Sequence, residues 1–233
     1  MNRVILSAST DETILAVTRQ HKLVDLEIEQ QINTEIVGCI YKGVVKNIVP
    51  AVDGIFVDIG IGKNAFLRRK DLLNEKRFPT EGSPILAQVI KSDTDMKGAL
   101  ITEKISMFGK YAVTLSGTGY IGVSKKIRQE SVRKRLKEIG KEICAEHMGL
   151  IIRTAAENAD MDEFRKDITR LKENWDIIQK RFRMEKSPTL LYRESDIIVK
   201  ALRDYVNKGT EILITDNRKI YERICKLNES EHT

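Results

Sequence analysis

Two phenylalanines carry the first chemical suggestion in the chain. Phe56 lies in Gly54-Ile55-Phe56-Val57-Asp58-Ile59-Gly60 and Phe66 lies in Asn64-Ala65-Phe66-Leu67. In each run the neighbours already supply apolar groups for a core, namely Ile55 and Val57, then Ala65 and Leu67. A strand alternates its side chains with period two, so neighbours that point inward turn both phenylalanines outward. A phenylalanine in a strand also serves as ordinary core, and the alternation is what favours the outward reading here. Two exposed aromatic rings on one face form a platform on which nucleobases can stack, a contact worth about 1–3 kcal/mol per base and tolerant of sequence. Lys42, Lys46, Lys63, Arg68, Arg69, Lys70 and Lys97 surround these runs in sequence and would hold phosphates. Further along, Arg153-Thr154 follows the apolar run Leu150–Ile152, and Lys125, Lys126 and Arg128 form a basic turn. On residue type alone these are equally well ordinary solvated charges.

The acidic and sulfur-bearing residues suggest less. Asp58, Asp93 and Asp95 have no spacing that argues for a metal site, and a structural or solvated role suits each. Cys39, Cys144 and Cys225 are odd in number and fit no zinc-ligand pattern, so neither a disulfide framework nor a metal centre is implied. A reducing cytoplasm is the expected compartment. The opening Met-Asn-Arg-Val-Ile-Leu-Ser runs straight into a strand-like pattern without a signal-peptide core, and no apolar run reaches the length of a membrane span. Across 233 residues, 40 Lys and Arg against 34 Asp and Glu give a net charge of +6, which permits a polyanionic partner without demanding one. With 41% hydrophobic and 32% charged residues, the chain can bury a core and solvate its surface.

The elements that must position these residues can be read from periodicity. Residues 3–28 read as three strands: one from Val4, one from Thr13 to Val17 and one from Leu23 to Ile28, the last two joined by a turn at Gln20-His21-Lys22. In the third, Val24, Leu26 and Ile28 share one face, which the pattern assigns to a buried side. Residues 36–106 read as five short strands, at Ile36–Ile48, Gly54–Ile59, Asn64–Leu67, Ile85–Lys91 and Ala99–Ile105. Gly43, Gly54, Gly60 and Gly62 stand where turns or bends are expected. Five short strands in about seventy residues fit a closed Greek-key barrel of the OB type.

Beyond the barrel, Tyr111–Leu115 and Gly149–Thr154 read as strands and Glu130–Ile139 as a helix. The clearest helix carries Phe164, Ile168, Leu171, Trp175, Ile178 and Phe182 at steps of four and three, with Asp160 and Glu163 resembling a capping box at its start. After Pro188 the pattern becomes strand, helix, strand and helix: Thr189–Tyr192, Asp196–Tyr205 with Ser195 as N-cap, Glu211–Thr215, and Arg218 to about Lys226. These last strands need more sheet than their own segment supplies, and residues 1–35 can complete it. The fold class expected is therefore α+β with several subdomains: a barrel over 36–106 inserted into an α/β layer made of 1–35 and 188–233, with a mixed α/β part over 107–187.

Several of these stretches resemble known sequences. Ile40-Tyr41-Lys42-Gly43-Val44-Val45, Phe56-Val57-Asp58-Ile59-Gly60 and Ala65-Phe66-Leu67 resemble an S1 domain, an OB-type RNA-binding module. The whole chain resembles the N-terminal part of the ribonuclease E/G family of bacterial endoribonucleases. Met96–Thr102, Gly122–Ile127, Gly149–Ala156, Arg193–Lys200 and Arg203-Asp204-Tyr205 carry that resemblance in order along the chain. It implies an RNase H-like subdomain split by an S1 domain and a 5′-sensor. It also implies that Phe56, Phe66 and Lys97 contact RNA and that Arg153 and Thr154 bind a 5′-monophosphate. The guanidinium fork and the hydroxyl suit the oxygens of a terminal phosphate. The partner implied is single-stranded RNA with a 5′-monophosphate, in RNA processing and decay.

The family's cleavage chemistry implies Mg2+ held by two aspartates in a subdomain downstream of the matched region, with a zinc-linking cysteine pair further on. No residue of this chain matches those aspartates, so no catalytic or metal-binding residue is assigned. The family resemblance admits a homo-oligomer in the full-length form. Four readings follow: a binding-competent part of an endoribonuclease that does not cut, the N-terminal portion of an intact enzyme, a non-catalytic RNA-binding or regulatory protein, and a protein-interaction module using the barrel face. Nuclease activity with Mg2+ would exclude the first and third. Weak salt dependence of RNA binding would favour the fourth, because phosphate contacts release counterions.

Overall fold

The computed structural model describes the chain except for residues 1, 31–35, 77, 95–96, 145–147, 194–195, 207–209, 211 and 232–233. In chain order, the first three strands are β1 (Asn2–Ala8), β2 (Glu12–Arg19) and β3 (Lys22–Gln30). The barrel strands follow: β4 (Ile40–Val49), β5 (Gly54–Asp58), β6 (Ala65–Arg68), β7 (Pro84–Lys91) and β8 (Leu100–Thr102). Next come β9 (Ser106–Phe108), β10 (Ala112–Ser116), β11 (Ile121–Val123), α1 (Glu130–Ile143), β12 (Met148–Ile152) and α2 (Met161–Met184). The chain continues with β13 (Thr189–Tyr192), α3 (Ile197–Tyr205), β14 (Ile212–Thr215) and α4 (Arg218–Glu231). The contacts divide it into two compact units, 1–35 with 195–233, and 36–194.

In the first unit the sheet runs β14-β1-β2-β3, with β14 parallel to β1 and the rest antiparallel. The three strands within residues 2–30 thus form one sheet with Ile212–Thr215. Gln20 and His21 both have positive φ, 49° and 64°, and form a two-residue hairpin whose twist suits the flanking strands. On the buried side of β2 stand Thr13, Leu15 and Val17, over a core shared with Val4, Leu6, Ile197, Ile198, Ala201 and Ile220.

The expected burial of Val24, Leu26 and Ile28 is not observed; all three are exposed, at 52%, 52% and 53%. Register explains the difference. Thr13, Leu15 and Val17 face Glu29, Glu27 and Asp25, so the acidic residues of β3 share the core side of β2. There α3 meets them: Lys200 pairs with Glu27 at 2.7 Å and the Tyr205 hydroxyl donates to Asp25. Polar partners on a neighbouring helix have selected the face that hydrophobicity alone would have turned outward. Helix α3 is capped by Asp196, which accepts from the amides of Ile198 and Val199 at 3.1 and 3.2 Å. Ser195, the cap expected from sequence, and Glu211 lie outside the described residues.

In the second unit the barrel strands run β4-β5-β6-β8-β7 and close through β4–β7, as the five-strand pattern requires. Tyr41, Val45, Ile55, Val57, Ile59, Ala65, Leu67, Ile85, Ala87, Val89 and Ile101 fill the interior. Thr189–Tyr192, grouped by sequence with the C-terminal α/β segment, instead adds to the barrel sheet, with β13 antiparallel to β4. A local strand signal carries no information about its partner, and here β4 offers the edge. Gly43 and Gly54, expected at bends, lie inside the pairing of β4 and at the start of β5. They serve close packing: a Cβ at Gly43 would lie 2.5 Å from Val57 Cγ1.

The remaining sheet runs β11-β12-β10-β9, and α1 and α2 cover one side of it. Leu136, Ile139, Phe164, Ile168, Leu171 and Ile178 bury against Met107, Ala112, Leu150 and Ile152. The helical spacing read in 164–182 therefore marks the packed stripe. The Asp160 side chain accepts from the amides of Asp162 and Glu163, at 2.8 and 3.3 Å. Glu163 accepts a hydrogen bond from the Tyr111 hydroxyl. No helix among the described residues is long and apolar enough to cross a membrane.

Candidate nucleic-acid interface

Strand pairing across the barrel sets one face of it. Asn47 on β4, Phe56 on β5, Phe66 on β6, Leu100 on β8 and Lys91 on β7 are successive register partners, forming one row over the outer surface. Their chain neighbours Ile55, Val57, Ala65, Leu67 and Ile101 are at most 1% exposed, so the alternation that buries those five turns the row outward. Phe56 is 36% exposed, and its ring lies 5.4 Å from that of Phe66, tilted by 51°. Side by side, the rings make a continuous apolar surface of the size of stacked bases.

Gly54 makes room for this pair. A Cβ there would lie 2.3 Å from Phe66 Cε2 and Cζ, so the ring occupies the place of the missing side chain. The loop before β6 is fixed similarly: the Asp58 carboxylate accepts from Gly60 N at 2.9 Å, where φ is +83°, and Lys46 pairs with Asp58 at 3.4 Å. Lys97 is exposed on a turn closed by Thr94 N to Lys97 O at 2.8 Å. Its neighbour Gly98 packs so tightly on Asn64 that a Cβ would meet the Asn64 carbonyl at 1.9 Å. Ala99 O then accepts from Phe66 N at 2.7 Å, which ties the Lys97 turn to the strand carrying Phe66. Lys63, on the facing loop, donates to Thr94 O at 2.9 Å.

The other basic residues named from sequence divide. Lys46, Lys63 and Lys70 are exposed. Lys42 is buried: its Nζ donates to Glu185 O at 2.6 Å and lies 5.1 Å from the Phe182 ring, so it fastens α2 to the barrel rather than facing solvent. Glu185 nearby has its carboxyl held below the usual range, first by the hydrogen bond from Arg181. Arg68 pairs with Asp71, while Arg69 pairs with Asp53 and stacks at 3.7 Å on Phe78. Sequence proximity did not distinguish these internal roles from surface ones.

Arg153 and Thr154 stand at the end of β12. The Arg153 backbone N–H donates to Tyr111 O at 2.7 Å, and its Nη1 donates to Gly109 O at 2.8 Å. Thr154 opens a short 3₁₀ turn, and its hydroxyl is 2.9 Å from that of Ser124, just past the end of β11. Ser124 in turn is anchored by its amide to Ile152 O at 2.9 Å and by its carbonyl, which accepts from Arg133 Nη1 at 2.8 Å. The two hydroxyls thus stand together on the β11 side of β12, while the Arg153 guanidinium bonds the carbonyl that precedes β10. Ser124 and Gly109 were not singled out from sequence as site residues; only the parallel pairing of β11 with β12 and the 109–153 contact reveal them. The described residues contain no group of three or more His, Cys, Asp or Glu that could hold a metal ion, and Mg2+ finds no fitting ligand set among them.

A closed five-stranded barrel of this topology belongs to the OB class, whose members include oligonucleotide-binding modules. Residues 34–102 match the S1 RNA binding domain, and residues 106–233 match the Ribonuclease E/G family. The chain belongs to the ribonuclease E/G family. It is 32% identical to Ribonuclease G of Escherichia coli K12 over 96% of this chain and 49% of that protein. It is 31% identical to Ribonuclease G of Haemophilus influenzae over 97% of this chain and 50% of that protein. Ribonuclease E of Buchnera aphidicola (subspecies Schizaphis graminum) is 31% identical over 95% of this chain and 25% of its own length. The chain therefore spans about half the length of the ribonuclease G relatives.

Proposed function

We propose that this chain binds single-stranded RNA across the Phe56–Phe66 face and reads the 5′ end of that RNA with Arg153 and Thr154. The observation that carries the first part is the outward cross-strand pair Phe56–Phe66 within a segment matching the S1 RNA binding domain. Stacking requires exposed base faces, which single strands offer and duplexes do not. Lys97, with Lys46 and Lys63, supplies positive charge for the backbone beside the rings. For the second part, a guanidinium fork with the hydroxyls of Thr154 and Ser124 suits a terminal phosphate monoester, which carries several acceptor oxygens and up to two charges. On this reading residues 36–106 are the S1 domain, 107–187 the 5′-sensor, and 1–35 with 195–233 an RNase H-like layer, the strand Thr189–Tyr192 going with the barrel sheet.

For the family enzyme as a whole we propose Mg2+-assisted phosphodiester hydrolysis in RNA processing and decay, in the cytoplasm and with room for a homo-oligomer. No step of that hydrolysis is assigned to a residue of this chain. The test is a pair of anisotropy titrations with one short unstructured RNA, ending in a 5′-monophosphate or a 5′-hydroxyl. Tighter binding of the monophosphate form is expected. Equal binding of both would remove the sensor and leave the barrel, and binding of neither would sink the RNA-binding reading itself.

A further inference from the structure

Asp167, on α2, is only 6% exposed. Its carboxylate accepts from Lys110 N at 3.1 Å and Tyr111 N at 2.8 Å, with Arg170 Nη2 3.1 Å from Oδ1 at the rim. Gly109 packs against the same group: a Cβ there would lie 2.5 Å from Asp167 Oδ2. The segment 109–111 that this carboxylate holds also provides two main-chain acceptors to Arg153, Gly109 O for the guanidinium and Tyr111 O for the backbone N–H. Burying a carboxylate carries a desolvation cost that its hydrogen bonds offset; what the arrangement secures is geometry.

We propose that Asp167 is a positioning residue for phosphate recognition: by clamping the 109–111 amides it fixes the carbonyl that sets the Arg153 guanidinium. It touches no ligand itself. A guanidinium meets two phosphate oxygens well only from a restricted set of orientations, so a loosened Gly109 carbonyl should cost phosphate affinity before it costs fold. The proposal rests on the reading of Arg153 and Thr154 as a 5′-phosphate pocket.

The test uses the full 233-residue chain and the two 5′-end forms of one RNA. Wild type is measured first, and if it shows no preference for monophosphate the pocket reading fails and the positioning role with it. Given a preference, Asp167→Asn keeps the size of the side chain but turns an amide donor toward one of the two backbone N–H donors. It is expected to cut the preference by about fivefold, the scale of one ordinary hydrogen bond, while hydroxyl-ended RNA binds within about twofold of wild type. Combining it with Arg153→Ala should add nothing to Arg153→Ala alone, since the effect acts through that residue. If Asp167→Asn does not fold, Gly109→Ala, which crowds the same carboxylate, is read in its place with the same expected loss. A folded variant that keeps the wild-type preference overturns the proposal, as does a loss that persists additively without Arg153.

Discussion

Replacing Phe66 by alanine should weaken RNA binding without unfolding the barrel. The ring lies on the outer surface, between Ala65 and Leu67 that both point into the core at 0% exposure, so its removal leaves the packed interior intact. One aromatic contact to a base is worth about 1–3 kcal/mol, which corresponds to a rise in Kd of roughly 5- to 150-fold. Phe56→Ala should behave alike. Because the two rings sit 5.4 Å apart and share one surface, the double variant should lose less than the sum. Gly54→Ala is the sharper companion. It removes no ring, yet its methyl would stand 2.3 Å from Phe66 Cε2 and Cζ, so the ring must swing off the platform. Anisotropy titrations at fixed salt, with thermal melts in parallel, read both effects. Native-like melts together with Kd values within about twofold of wild type for Phe66→Ala and Gly54→Ala would refute the stacking argument, since each disturbs the ring without touching the core.

Other expectations follow from the same geometry. Lys97→Ala should lower affinity for RNAs of any sequence and reduce the salt slope by about one, measured as log K against log salt. Arg153→Ala should abolish the difference between monophosphate- and hydroxyl-ended RNA while leaving hydroxyl-ended affinity unchanged, read in paired titrations. Glu103 is a stability probe: burial raises its carboxyl pKa above the ordinary value, against a smaller opposing effect of the hydrogen bond from Leu73 N. The folded state then holds a proton that the unfolded chain has released, so stability contributed by this group falls as pH rises from the usual glutamate range to the raised value. Glu103→Gln, which keeps a carbonyl acceptor for Leu73 N, should flatten that part of the pH dependence in urea melts taken upward from the usual glutamate range.

How much of this was legible beforehand depended on whether the signal was local. Period-two alternation at Ile55-Phe56-Val57 and Ala65-Phe66-Leu67 placed both rings outward, because a residue's face is set by its immediate neighbours. The stripe Phe164–Phe182 and the barrel's five strands were readable for the same reason. The Val24-Leu26-Ile28 face was not, although its alternation was: which of two faces meets the core depends on what a distant helix presents, and α3 presents Lys200 and Tyr205 to Glu27 and Asp25. Charge by itself was equally blind, since Lys42 and Lys46 differ in sequence by four places and in structure by burial.

The amino-acid order alone therefore determined most of the strands and the helices, though not β9 and β11, together with the barrel class and the outward aromatic pair, all consequences of short-range periodicity and turn chemistry. Tertiary structure decided the rest. It joined β13 to the barrel edge rather than to the β1–β3 sheet, set Ser124 beside Thr154 and brought Asp167 to the loop that holds Arg153. Those contacts join residues as much as 152 positions apart, Tyr192 with Ile40 being the longest, and pairing at that range is fixed by packing and hydrogen-bond satisfaction across the whole fold, which no window along the sequence contains.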